Sequence, residues 1–209
     1  KEEEKKPARW HRHGEAPVPV VSPDKKWEAY VKDNNLYISP VRDEKEKDKP
    51  KEEIALTMDG TTNLRYDAWS IIWSPDSRKL ATVKVRDVQE RRIPLIESSP
   101  SSQKQPILQW RDYAKPGDVL PVYLPVLFDV EARRQVALDV APYENQYYLN
   151  LTGWRKDSRA FTFEFNQRGH QRYVIGEVNA ADGFIRHLVD EQTKTFIYYY
   201  NNYRYDLDD

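Results

Sequence analysis

Trp73-Ser74-Pro75-Asp76-Ser77-Arg78-Lys79-Leu80-Ala81-Thr82-Val83 is the stretch on which the reading of this chain turns. Pro75 and Asp76 favour a tight turn, and Ala81, Val83 and Val85 then alternate with Thr82 and Lys84, the period of a half-buried strand. The pattern occurs upstream as Ser22-Pro23-Asp24-Lys25-Lys26-Trp27-Glu28-Ala29-Tyr30-Val31. It occurs again, degraded, as Arg155-Lys156-Asp157-Ser158-Arg159-Ala160-Phe161-Thr162-Phe163, with Trp154 standing before that copy as Trp73 stands before the second. Each copy reads as strand, turn, strand. Each is followed by two more strand-like runs: Leu36 to Ile38 and Ile54 to Leu56, then Val126 to Val130 and Gln135 to Leu138, then Tyr173 to Val178 and Ile185 to Val189. Four antiparallel strands per unit, repeated, is the pattern of β-propeller blades.

The expected fold is therefore all-β: a partial β-propeller of about three four-stranded antiparallel blades plus the start of a fourth. The blades are placed roughly at 17–60, 66–140 and 146–190, the next one starting within 195–209, behind a charged flexible N-terminal segment at 1–16. The repeated aspartates, Asp24, Asp76 and Asp157, are unevenly spaced. The excess falls between Arg86 and Leu120, where Ser98 to Ser102 and Lys115-Pro116-Gly117-Asp118 read as loop and turn. Three blades do not close a ring, and the last run is cut off at Asp209, so the expectation is a piece of a longer protein. Its open edges are expected to pair with another copy, giving a homo-oligomer, or to stay partly disordered.

Composition fits a folded domain diluted by charged segments. The chain has 209 residues, 33 Lys+Arg against 34 Asp+Glu for a formal net charge of -1, 39% hydrophobic and 32% charged residues. Low hydrophobicity with high charge leans towards disorder, but 6 Trp, 14 Tyr and 6 Phe argue for a core. The charge is concentrated in Lys1 to Lys6 and Arg42 to Glu53, which read as a solvated tail and a solvated loop. With no cysteine there is no disulfide framework, thiolate zinc site or cysteine nucleophile. Charge balance and the lack of a basic stripe interleaved with aromatics leave no nucleic-acid partner. No run of about 18 apolar residues exists to span a bilayer, and no membrane partner is expected. His11 and His13 lack a third ligand nearby, and no metal or cofactor is expected. Asn150-Leu151-Thr152 matches a glycosylation acceptor, a pattern common by chance.

Trp73 to Ala81, Arg92 to Glu97, and Tyr113 to Asp118 leading to Phe128-Asp129-Val130 together resemble the N-terminal propeller of dipeptidyl peptidase IV-like serine peptidases, in the prolyl oligopeptidase family. Asn166 to Gln171 and Thr195 to Tyr198 are similar to bacterial members. The resemblance covers roughly residues 17 to 209. It implies an eight-bladed propeller stacked on an α/β-hydrolase domain with a Ser, Asp, His triad, the partner expected for this chain, and a peptide substrate. It also implies export to the periplasm or secretion. The chain contains no Gly-x-Ser-x-Gly elbow, so no catalytic residue is expected in it.

In that family the propeller contributes a Glu-Glu pair, just before a W-S-P turn, that holds the substrate's amino terminus. The corresponding stretch here, Asp59 to Trp69, has no such pair. Asp67 is the acid available there, either to take part of that work or to cap a turn. The hairpin loop Asn166 to Gln171 is the other candidate, sharing a blade face with residues 61 to 69. Arg168 and His170 there are expected either to touch substrate or brace the domain interface, or simply to decorate a polar hairpin in which Gly169 supplies positive φ. From another class, a non-enzymatic TolB-like or WD-repeat-like propeller scaffold for protein binding remains the alternative.

Overall fold

The computed structural model describes residues 18–42, 52–89 and 91–198. The N-terminal segment with His11 and His13, most of the charged loop 42–53, and the part beyond Tyr198 of the next strand expected from Thr195 lie outside them. Residues 193–198 form no strand. The described residues are almost entirely β, with one 3-10 turn at Ala141–Tyr143. Three sheets follow one another along the chain.

The first contains β1 (Val20–Val21), β2 (Trp27–Lys32), β3 (Asn35–Pro40) and β4 (Ile54–Ala55), in that order and antiparallel. The second contains β5 (Leu64–Tyr66), β6 (Ile72–Trp73), β7 (Lys79–Arg86), β10 (Val122–Asp129) and β11 (Arg134–Val136). Here β5 and β6 both pair with β7, so they are two pieces of one first strand. Between them Asp67 N–H donates to Val83 C=O (2.9 Å), and the Ser70 hydroxyl accepts from Val83 N–H (2.9 Å). The hydroxyl thus serves β7 where the ladder is broken. The third sheet is an uninterrupted meander of β12 (Gln146–Trp154), β13 (Ala160–Gln167), β14 (Arg172–Asn179) and β15 (Ile185–Gln192).

The segment from Arg86 to Leu120 is more ordered than its turn signals suggested. It carries a two-stranded ribbon, β8 (Arg92–Glu97) against β9 (Ile107–Asp112), with Ile96, Leu108 and Trp110 exposed.

The alternation read from the sequence places neighbouring side chains in different cores. Leu80 and Phe128 pack against Ala29, Leu36 and Ile38 of the first sheet, whereas their neighbours Ala81 and Leu127 pack against Phe161, Phe163, Phe165 and Val174 of the third. The Phe163 ring occupies the space beside its cross-strand partner Gly176, where a Cβ would fall 2.3 Å from the ring. Such stacking of sheet on sheet, with no ring closed among the described residues, is a partial propeller.

The repeated turns also join the sheets. In each, a backbone bond closes the turn: Lys25 N–H to Ser22 C=O (2.9 Å), Ser77 to Ser74 (2.9 Å), Ser158 to Arg155 (3.0 Å). The closing residue is left-handed every time, with φ of 60°, 63° and 63°. That conformation aims the side chain back at the preceding sheet. Ser77 Oγ accepts from Asp24 N–H (3.0 Å), and Ser158 Oγ accepts from Asp76 N–H (3.0 Å). Four residues earlier, Trp73 Nε1–H donates to Val20 C=O (2.9 Å) and Trp154 Nε1–H to Ile72 C=O (3.2 Å). Both joints therefore use equivalent atoms.

A net hydrogen bond contributes about 1 kcal/mol. Ser77→Ala and Ser158→Ala are each expected to lower unfolding free energy by about that much in urea titration. The two losses should add in the double variant because they weaken separate joints.

Candidate functional site

The β13–β14 hairpin is built from a turn and a buried anchor. His170 N–H donates to Gln167 C=O (2.8 Å), with Gly169 at φ +96° and His170 itself at φ +56°. Gly169 was legible as the positive-φ residue, but the left-handed His170 was not. Its cause is in the packing: Nδ1 lies 3.0 Å from Oδ1 of the fully buried Asn166, and the ring sits between Tyr147 (4.5 Å between ring centres) and Phe196 (5.1 Å). His170 C=O in turn accepts from Ile197 N–H (2.7 Å), which brings the residues after β15 against the hairpin. Burial depresses the His170 pKa, so the imidazole is neutral at pH 7.

The tip is tied to the rest of the chain through residues 143–147. Arg168 N–H donates to Asn145 C=O (3.1 Å). Gln146, buried beside it, uses its side-chain amide as a strand would: Oε1 accepts from Tyr123 N–H (2.9 Å) and Nε2 donates to Tyr123 C=O (3.0 Å). Arg86, at the end of β7, grips the Glu144 carboxylate with both guanidinium nitrogens (3.0 and 3.3 Å). These contacts fix the hairpin beside the corresponding end of the second sheet. What the tip then presents is the half-buried Arg168 side chain, which belongs to none of the ion pairs among the described residues. A guanidinium without a carboxylate can take an anion or a peptide carbonyl.

Asp67 is differently placed. It lies opposite Val83, three residues in from Arg86, whereas Leu64 is the residue level with Arg86. Its carbonyl accepts from the Ser70 (3.0 Å) and Thr82 (2.9 Å) hydroxyls, and its Oδ1 lies 3.5 Å from Trp69 N and 3.8 Å from Arg65 Nη1. Its contacts are those of a turn aspartate at the break in the first strand. The structure gathers Arg168 and His170 at one tip and holds Asp67 at mid-strand.

The sequence reading missed Gln146, Tyr147 and Phe196 as parts of this corner. Gln146 carried no signal, because side-chain pairing with a distant backbone has no local pattern.

A family model for the dipeptidyl peptidase IV (DPP IV) N-terminal region matches residues 2–206. The chain belongs to that family. Among solved structures it is similar to Porphyromonas gingivalis dipeptidyl peptidase 4, with a TM-score of 0.61 and 17% identity over 86% of this chain and 26% of that one. It is similar also to a Bacteroides ovatus protein assigned as a dipeptidyl aminopeptidase IV, with a TM-score of 0.59 and 16% identity over 86% of this chain and 24% of the other. The chain thus spans about a quarter of the length of these two structures. At such identities the likeness is one of fold, and with the family match it makes this a DPP IV-type peptidase propeller region. A comparison with curated proteins finds no match.

The depressed His170 pKa has a testable sign. A group that is harder to protonate when folded contributes stability above its ordinary value of 6.5, and that contribution is lost as pH falls below it. His170→Asn keeps a residue suited to positive φ but cannot titrate. The melting-temperature advantage of the wild type over this variant should shrink between pH 7.5 and pH 5; a constant difference would contradict a neutral, structurally held imidazole.

Proposed function

We propose that this DPP IV N-terminal region is the non-catalytic propeller portion of a serine exopeptidase. It gates and orients peptide substrates for an α/β-hydrolase domain of the same protein. The observation that carries the reading is the hairpin tip: a left-handed, aromatic-flanked His170 and a backbone bond to Asn145, next to a Gln146 whose side chain is anchored on Tyr123, hold Arg168 at the end of the sheets with no carboxylate of its own among the described residues. Holding a long cationic side chain in place lowers the entropy lost on binding, which is how a non-catalytic surface improves orientation. Arg168 is suited to a carbonyl or terminal carboxylate of the peptide, and the His170 ring with Tyr147 to its apolar side chains. The family match and the two peptidase folds support the setting. Asp67 takes part in substrate binding only if the peptide reaches mid-strand, since its neighbours already use its polar atoms.

The test is steady-state kinetics of the full-length enzyme on short peptides. Arg168→Ala and His170→Ala are expected to lower kcat/KM by about tenfold each, the size of one lost charge-assisted hydrogen bond, with an unchanged unfolding midpoint for Arg168→Ala. Unchanged kcat/KM and unchanged stability in both would overturn the assignment of this tip to substrate.

A further inference from the structure

Arg65, Lys79, Lys84, Arg155 and Arg172 are half-buried cations, and each stands 2.5–2.8 Å from a carboxylate oxygen. Arg168 is half-buried as they are, yet among the described residues it has neither an ion pair nor a side-chain hydrogen bond. Arg172, four residues on, shows what the same side chain does with an acid at hand. It takes Asp190 through two nitrogens, Nε at 2.9 Å and Nη2 at 2.8 Å. The acids tied to this corner are committed, Glu144 to Arg86 and Asp190 to Arg172. Glu191, exposed near the end of β15, stands level with Tyr173 and enters no ion pair among the described residues.

A second feature of the tip is independent of charge. In β12 the register passes from Gln146 opposite Gln167 to Tyr148 opposite Asn166, so Tyr147 is an extra, bulged residue with no cross-strand partner. Its ring, 44% exposed, lies against His170, as does that of Phe196, 53% exposed. A guanidinium fork near half-exposed rings suits a carboxylate attached to an apolar group. A bare carbonyl would leave the charge of Arg168 uncompensated, unlike that of the other half-buried cations. A phosphate dianion would call for a second charge or free backbone N–H groups, and here the Arg168 and His170 N–H groups are already bonded to Asn145 and Gln167.

We propose that the hairpin tip selects short peptides that carry a carboxylate, which Arg168 grips through its guanidinium fork, with the adjoining apolar side chain against Tyr147 and Phe196. This selectivity rests on the reading of the tip as a substrate contact. It also gives the peptide a direction. Arg168 repels the free ammonium end, so that end lies away from the tip, while Asp67, engaged at mid-strand, is not available to draw it there.

Steady-state kinetics of the full-length enzyme on matched peptides test it. One pair is a short sequence with a free C-terminal carboxylate or a C-terminal amide; the other is the amide with Glu or Gln at an internal position. The wild type is expected to favour the carboxylate form by about tenfold in kcat/KM in one pair, the size of one charge-assisted hydrogen bond. Preference in the first pair identifies the C-terminus as the source of the carboxylate, and preference in the second an acidic side chain. The preference should shrink between 0.05 and 1 M NaCl. Arg168→Ala should erase it, and Arg168→Lys, which keeps the charge without the fork, should retain part of it. The wild-type comparison depends on no variant folding: equal kcat/KM within both pairs overturns the proposal, as does a preference that survives Arg168→Ala. An equal loss on every peptide in Arg168→Ala overturns it too, but leaves the tip as a substrate contact through a carbonyl. No loss on any peptide overturns both.

Discussion

Everything in this molecule depends on how one sheet is fixed to the next, and the constraint that fixes it is the left-handed residue closing each repeated turn. A positive φ at Ser77 and Ser158 points a short hydroxyl at the backbone N–H of Asp24 and Asp76 in the preceding sheet. The indole N–H four residues earlier reaches a carbonyl of the same neighbour. A pair of bonds from points four residues apart fixes both the height and the tilt of a sheet against its neighbour. An apolar face alone would leave it free to slide. The same atoms are used at both joints, and reuse of one joint from unit to unit is the repetition on which a propeller is built.

The first unit uses the turn without the joining atoms. Lys25 occupies the position of Ser77 and Ser158, and Val21 that of Trp73 and Trp154, so it offers neither hydroxyl nor indole to a sheet on its other side. The polar side of the first sheet agrees with this. Tyr30 and Tyr37 stack there at 6.0 Å, with Lys32 over Tyr37, and Lys32 reaches Glu53 at 2.6 Å. The apolar faces are confined to the two joints inside the described block.

The fold was legible because its repeat is local. The S-P-D turn needs only neighbours in sequence, and Ala81, Val83 and Val85 or Phe161, Phe163 and Phe165 announce a strand by alternation alone. What stayed hidden involves partners far apart. The tryptophans before the second and third copies were visible as a pattern, but not their bond to a carbonyl 53 or 82 residues away. The break in the second unit's first strand was hidden because Ser70 compensates for it with a side chain. The β8–β9 ribbon was passed over because Pro94 and the serine-rich turn obscured the alternation of a pair that is exposed on both faces. Of the site, Arg168 and His170 were found through their turn, which is local. Gln146 and Phe196, which hold that turn in place, were not.

Position along a strand, more than residue type, separates the two kinds of site candidate. Asp67 has the charge for an amine, yet it sits at a point where the chain must repair a broken ladder. Its carbonyl serves two hydroxyls, its N–H serves Val83, and its carboxylate lies near Trp69 N–H and the Arg65 guanidinium. Recruiting it for a ligand would mean taking apart the repair. Arg168 is free of such duties because a hairpin tip has no ladder to maintain: its backbone N–H is satisfied by Asn145, and the turn is closed by its neighbours. A group can be committed to a ligand only where the backbone around it is already satisfied by other means, and in this chain that condition is met at the sheet ends.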